Sequence, residues 1–328
     1  MVFINIYDIA NKAGVSIATV SRVLNNSDRV SEKTKKRIEE IMQKEGYVPN
    51  AFARGLGLNS MKMVGVMCTD VTDSFYALAV GHIEKLLREN GLDTVLCCTG
   101  NKLSDKKKAI SELVNRKVDA IILIGSAFRE KTDNSHIRRA ARSVPVEIIN
   151  GNISLPGVYC IYCDERKATE SAVKKLFDKG SRNIVYIYDA DTYSGLEKCG
   201  GYRDGCKKLG LKERFIKTEK SFKAVENTII SIIKEHPETD AVIASEDILA
   251  AAAQKALIKN GKNIPVIGFN NSVIAQCATP SLTSIDNMCL SMCETAVKNL
   301  TDLSLGKSVP KQTVISAKIE FRESFKED

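Results

Sequence analysis

Apolar positions recur with a helical period twice within the first 25 residues. Ile6, Ile9, Ala10 and Ala13 stand at i, i+3, i+4 and i+7, one face of a short helix that Asn5 can cap and Gly14 can stop. After Ser16, a second cap, Val20, Val23 and Leu24 point inward, which turns Ile17, Ala18, Thr19, Ser21, Arg22 and Asn25 outward. Ser31 opens a third amphipathic helix running to Gly46, with Ile38, Ile41 and Met42 inward and Lys33, Lys35, Lys36 and Arg37 outward. Two short helices around a tight turn, backed by a third, make a helix-turn-helix. The outward face of the second helix is small and polar and carries one arginine. Such a face suits a DNA major groove, where arginine donates to guanine O6 and N7 and a methyl-bearing residue touches thymine.

Tyr47-Val-Pro-Asn50 then breaks the pattern. Residues 51–58 have helical spacing but include Gly55 and Gly57, each about 1 kcal/mol worse than alanine in a helix, so this segment alone is a poor helix. Beyond residue 60, short apolar runs at 63–69, 94–99, 120–124, 146–149, 159–162, 184–188, 241–244 and 266–269 predict strands. Amphipathic stretches at 76–90, 104–116, 165–179, 225–235, 248–260 and 288–305 predict helices around them, and a last strand lies near the C-terminus. Strands and helices alternating in this way predict parallel α/β sheets, in two sets that divide near residue 160.

At 328 residues the chain is long enough for more than one packed unit. It contains no apolar run of transmembrane length and no secretory leader at its start, so a cytoplasmic location without membrane contact is expected. The net charge of +8 includes nine basic against six acidic residues among the first 60, which assists phosphate binding without establishing it. Ten cysteines fall mostly in apolar patterns, as reduced buried thiols do. Cys160-x-x-Cys163 has metal-like spacing but lies in a strand-like run with no second pair and no nearby histidine, so no metal site is expected. There is no phosphate-binding glycine loop or nucleophile elbow, and His82, His136 and His236 have no triad spacing, so neither a cofactor nor an enzyme activity is expected.

Tyr7-Asp8-Ile9-Ala10, Ala13-Gly14-Val15-Ser16, Ala18-Thr19-Val20-Ser21-Arg22-Val23-Leu24-Asn25 and the run from Gly46 through Tyr47, Pro49, Asn50, Ala53 and Arg54 to Leu56 resemble the DNA-binding signature of the lactose-repressor (LacI-type) family of bacterial transcription regulators. The resemblance covers essentially the whole chain. It implies an α/β protein: a three-helix headpiece over residues 1–48, a hinge helix over 49–60, and a two-lobe domain like periplasmic sugar-binding proteins over 61–328. The chain would cross between lobes near 160 and 286 and return near 318. The resemblance assigns DNA contact to Tyr7, Ser16, Ile17, Ala18, Thr19, Ser21, Arg22, Asn25, Tyr47, Asn50, Ala53, Arg54 and Leu56. Leu56 would wedge into the minor groove at the central base step, where unstacking is offset by the extra contact that a bent duplex allows. A headpiece this small needs two copies, so a homodimer on a near-palindromic operator is expected.

In doubly wound sheets ligands sit at the carboxyl ends of strands, which here means the cleft between lobes. Strand ends and the resemblance together give Asp73, Phe75, Tyr76 and Ser126 in the first lobe, and Tyr193, Lys198, Ser245, Glu246 and Asn270 in the second, as contacts for a small, sugar-derived effector. Two of these depart from the family pattern. Many sugar-binding members have arginine where Lys198 stands and aspartate where Asn270 stands, the groups best suited to bidentate hydroxyl recognition. The expected function is a repressor of carbohydrate or polysaccharide utilisation genes. Lys198 also resembles the catabolite-control branch, which responds to a phosphorylated carrier protein, but the 288–305 helix lacks that branch's arginine pattern. A sugar-binding protein without DNA function and a two-lobe enzyme are the remaining alternatives, and the N-terminal signature argues against the first.

Overall fold

The computed structural model describes residues 6–24, 27–45 and 60–327, in two compact units, the first holding the N-terminal helices and the second almost everything from Val64 onward. In the first unit, α1 (Ile6–Ala13), α2 (Ile17–Leu24) and α3 (Glu32–Glu45) pack around Ile9, Ala10, Ala13, Val20, Val23, Ile38 and Met42. These are the positions whose spacing put them inward. Gly14 adopts φ +61°, a left-handed turn that glycine enters without a Cβ penalty, and Val15 N–H closes it on Ala10 C=O at 3.0 Å. Ser16 Oγ accepts from Thr19 N–H at 3.2 Å and Ser31 Oγ from Thr34 N–H at 3.4 Å, so hydroxyls cap both following helices. Lys12 pairs with Glu45 at 2.6 Å and ties α1 to the end of α3.

The second unit has two lobes. In the first lobe, β1 (Met63–Cys68), α4 (Ser74–Glu89), β2 (Asp93–Cys98), α5 (Leu103–Asn115), β3 (Ala120–Ile124), α6 (Ser135–Ala140), β4 (Val146–Ile149) and β5 (Val158–Cys163) follow in order. The second lobe continues with α7 (Glu165–Asp178), β6 (Ile184–Tyr188), α8 (Tyr193–Leu209), β7 (Phe215–Lys217), α9 (Phe222–Glu235), β8 (Ala241–Ala244), α10 (Asp247–Lys259), β9 (Val266–Phe269), α11 (Val273–Cys277) and β10 (Thr283–Asp286). The chain then returns through α12 (Cys289–Ser304) and β11 (Gln312–Ile315) to the first lobe and ends on β12 (Lys318–Glu320) in the second. The sheets run β11-β5-β4-β3-β1-β2 and β12-β10-β9-β8-β6-β7. Pairings such as Val64 with Ala120 and Ile184 with Ala241 are parallel, while β12 is antiparallel to β10. Helices cover both faces, as parallel strands buried on two sides require: α4 and α12 pack on β1 and β3, α9 and α10 on one face of the second sheet, α7 and α8 on the other.

Several elements lie where the hydrophobic pattern predicts none. Helix α8 contains Gly195, Gly200, Gly201 and Gly205, which depress helix propensity. They are there for packing: a Cβ on Gly201 would stand 2.0 Å from Arg166 C=O and one on Gly205 2.8 Å from Val173, so α7 and α8 approach backbone to backbone. Strand β10 is masked by polar residues, since Thr283 and Ser284 are fully buried with their hydroxyls donating to Phe325 C=O and Asp247 Oδ1, each at 2.6 Å. The others, α6, α11, β7 and one of the two C-terminal strands where a single one was expected, are short.

Candidate functional site

On the first unit, Tyr7, Ile17, Ala18 and Arg22 are exposed and Thr19 and Ser21 half-exposed on the side of α1 and α2 away from the core. Ser16 serves as the α2 cap. Asn25, Tyr47, Asn50, Ala53, Arg54 and Leu56, with the whole expected hinge, lie outside the described residues.

Between the two lobes lies a cleft of about 840 Å³, at the carboxyl ends of both sheets. Asp73, Phe75, Tyr76, Ser126, Lys198, Glu246 and Asn270 all line it. Asp73 is the N-cap of α4: Oδ1 accepts from Phe75 N–H at 2.9 Å and Tyr76 N–H at 3.4 Å, which fixes both rings at the helix start. The rings meet edge to face at 5.5 Å. Tyr76 also packs so tightly on Gly125 (φ +99°) that a Cβ there would come within 2.6 Å of its hydroxyl. Burial pushes the Tyr76 phenol up to about 12, with the nearby Thr69 hydroxyl offsetting part of the rise.

The opposite wall is charged and mostly satisfied. Lys198 is buried; Nζ donates to Ser245 C=O at 3.0 Å, stands 3.6 Å from Glu165 and lies 3.9 Å over the Phe269 ring. Ser245 itself stands behind this wall and its side chain does not line the cleft; its hydroxyl donates to Asp189 at 3.2 Å. Asp247 accepts from Ser272 N–H at 2.7 Å and Ser284 Oγ at 2.6 Å, which holds the turn carrying Asn270 (φ +96°) and Asn271 (φ +48°). Asn270 Oδ1 accepts from Asn287 Nδ2 at 2.9 Å. Its amide nitrogen remains to serve the cleft. Tyr193 lies in an adjoining hollow, its ring 4.5 Å from the Arg129 guanidinium.

Lys220, absent from the sequence expectation, spans the cleft: its ammonium stands 2.5 Å from Asp73 and also pairs with Glu246. Burial raises the Glu246 carboxyl, and Lys220 pulls it partly back. Two further links join the lobes, Ser194 N–H to Ser126 Oγ at 3.1 Å and Asn150 Nδ2 to Glu165 Oε1 at 3.2 Å. Carboxylates, an amide and an aromatic pair thus face one another across a space large enough for a small molecule. No group of three or more His, Cys, Asp or Glu poised to hold a metal ion occurs among the described residues.

The family model described as periplasmic binding proteins and sugar binding domain of LacI family matches residues 61–325, and that of bacterial regulatory proteins, lacI family, matches residues 5–50. An HTH-type transcriptional regulator of Lachnoclostridium phytofermentans is 44% identical, covering 98% of this chain and 99% of its own. Catabolite control protein A of Priestia megaterium is 27% identical over 98% of this chain and 99% of its own. Among solved structures, the Lac repressor dimer bound to operator and an anti-inducer superposes with a TM-score of 0.86 at 21% identity, over 98% of this chain and 99% of that one. A CelR–cellobiose complex superposes at 0.71 and 24% identity, over the same shares of the two chains.

Proposed function

The chain belongs to the LacI family of bacterial regulatory proteins and is a DNA-binding transcriptional regulator, not an enzyme; from that premise we propose that it represses carbohydrate or polysaccharide utilisation genes under control of a sugar-derived effector. The observation that carries the effector assignment is the composition of the cleft. Glu246 and the Asn270 amide from one lobe, and Asp73 beside the Phe75–Tyr76 pair in the other, line one space and set hydroxyl partners around an apolar face, which is the complement of a sugar ring.

Residues 1–48 would read DNA through the outward face of α2, 49–60 would form the hinge, and 61–328 would bind effector and dimerise. Two headpieces from a homodimer would meet the two halves of a near-palindromic operator. Exposed Leu78 on α4, Leu96 on β2 and Leu290 on α12 support self-association through the first lobe, and the Lac repressor match is itself a dimer on operator. No described helix is long and apolar enough to cross a membrane, and a cytoplasmic location fits a regulator of this kind. The relatives named catabolite control protein A raise a second reading, response to a phosphorylated carrier protein. Against it, α12 carries Lys298 as its one basic residue and no arginine to make a bidentate phosphate contact.

A thermal-shift screen of mono- and oligosaccharides on the full chain tests the effector assignment. A ligand at a hundred times its Kd stabilises the folded state by about 2.7 kcal/mol, an easily read rise in melting temperature. No shift with any sugar, together with a shift on adding a phosphorylated protein, would favour the second reading.

A further inference from the structure

A second hollow of about 580 Å³ opens beside the cleft and shares Arg129, Glu130, Lys131, Asp191 and Thr192 with it. Both lobes wall it: Asn134, Asn152 and Ser154 on one side, Tyr193 and Leu196 from the first turn of α8 on the other, with Gln312 of β11.

Two kinds of surface meet there. Leu196 is 49% exposed, and Tyr193, half-buried with the Arg129 guanidinium over its ring, stands three residues earlier on the same helix face, so an aromatic and an aliphatic side chain lie side by side along the hollow. Facing them, Gln312 Nε2 donates to Asn152 Oδ1 at 3.0 Å, which leaves each amide with further donors or acceptors to offer. The acids at the junction are already neutralised, Glu130 by Lys106 and Asp191 by Lys217. Arg129 and Lys131 add cationic donors at the same junction. Amides that both donate and accept, these donors and an adjoining aromatic and aliphatic pair match a polyol ring with hydroxyl edges and C–H faces.

A single ring seated in the main cleft would leave this hollow empty, whereas a linear chain of rings would continue through the shared residues into it. We propose that the second hollow is an extension subsite and that the effector is an oligosaccharide whose outer rings lie over Tyr193 and Leu196. This rests on the reading that the main cleft takes a sugar.

The test is calorimetry of the full chain with one-, two- and four-ring members of the cello-, xylo-, manno- and malto-oligosaccharide series. In one series affinity rises about tenfold or more from one ring to four, the size expected when an aromatic anchor engages. Tyr193→Ala and Leu196→Glu each remove most of that gain, while both variants keep the wild-type affinity for the one-ring sugar. A one-ring sugar that binds as tightly as its four-ring homologue, or a gain that survives both substitutions, overturns the extension subsite and leaves the sugar cleft standing. No binding by any member overturns the sugar cleft itself, and the extension with it.

Discussion

Lys220 Nζ lies 2.5 Å from Asp73 Oδ2, so a side chain from the loop before α9 in the second lobe reaches the carboxylate that caps α4 in the first. The same ammonium pairs with Glu246. Burial works against the charge on Lys220, but the two acids outweigh it and hold its pKa above the ordinary lysine value. One cation shared between two acids therefore ties the lobes together across the cleft, and an effector must fit around this bridge or replace it. Lys220→Met leaves both carboxylates unpaired. Because Lys220 is about a third exposed, the expected loss is only about 1–2 kcal/mol by urea denaturation. Scattering should show a larger radius of gyration without ligand. A variant with wild-type stability and dimensions would mean that the bridge does not hold the lobes.

Glu147, in the middle of β4, is fully buried, and no hydrogen bond closes on either carboxylate oxygen among the described residues. Burial pushes its pKa from the ordinary 4.5 up to about 8, with the nearby Asn299 amide offsetting part. Between those values the native state keeps a proton that the unfolded chain has released. Stability from this group is therefore full below pH 4.5 and is lost as pH rises toward 8, at up to about 1.4 kcal/mol per pH unit. Glu147→Gln should flatten that slope and gain stability at pH 8. Parallel stability–pH curves for the two proteins would contradict the assignment.

Asn270 already uses its side-chain oxygen on Asn287 and keeps its amide nitrogen for the cleft. Asn270→Asp retains the acceptor for Asn287 and adds an ionised one, and charge-assisted hydrogen bonds contribute about 1.5–3 kcal/mol against about 1 for neutral ones. Calorimetry should then show affinity for a simple monosaccharide rising roughly tenfold. Unchanged or weaker binding in the variant would show that the amide is not what limits it.

The sequence made the headpiece legible because three short helices with a single small core obey a strict 3.6 period, and Ile9, Val20 and Ile38 are buried as their spacing requires. The strands of both lobes were legible as apolar runs, and their carboxyl ends pointed to Asp73, Tyr76 and Asn270. Lys220 was not legible. Thr218-Glu219-Lys220-Ser221 reads as an ordinary solvated loop, and only the tertiary approach of Asp73 gives the lysine its role. Helix α8 and strand β10 escaped for the opposite reason. Glycines that serve helix contact, and hydroxyls satisfied inside the core, look like loop in a pattern built on hydrophobicity.

Arg22 is exposed on α2 beside Ile17 and Ala18, where it can reach a base edge. Arg22→Ala should weaken operator binding by about 1–3 kcal/mol per half-site and relax the preference at one guanine. A variant with lower affinity but an unaltered base-preference profile would make Arg22 a phosphate contact.

Leu56 lies outside the described residues, and its role as a minor-groove wedge is a proposal carried by the family resemblance. Leu56→Ala should lower specific binding and reduce operator bending in a gel phasing assay while the melting temperature stays put. Equal bending by the two proteins would remove the wedge.

The most direct measurement is selection of duplexes by the full chain from a random library, followed by titration of the selected site with the sugar that gives the largest thermal shift. The expected outcome is a near-palindromic site with two half-sites about a common centre, bound with steep salt dependence and released on adding the sugar. Recovery of no enriched sequence, or of a site whose affinity no cleft-binding sugar alters, would contradict a DNA-binding repressor controlled through its inter-lobe cleft.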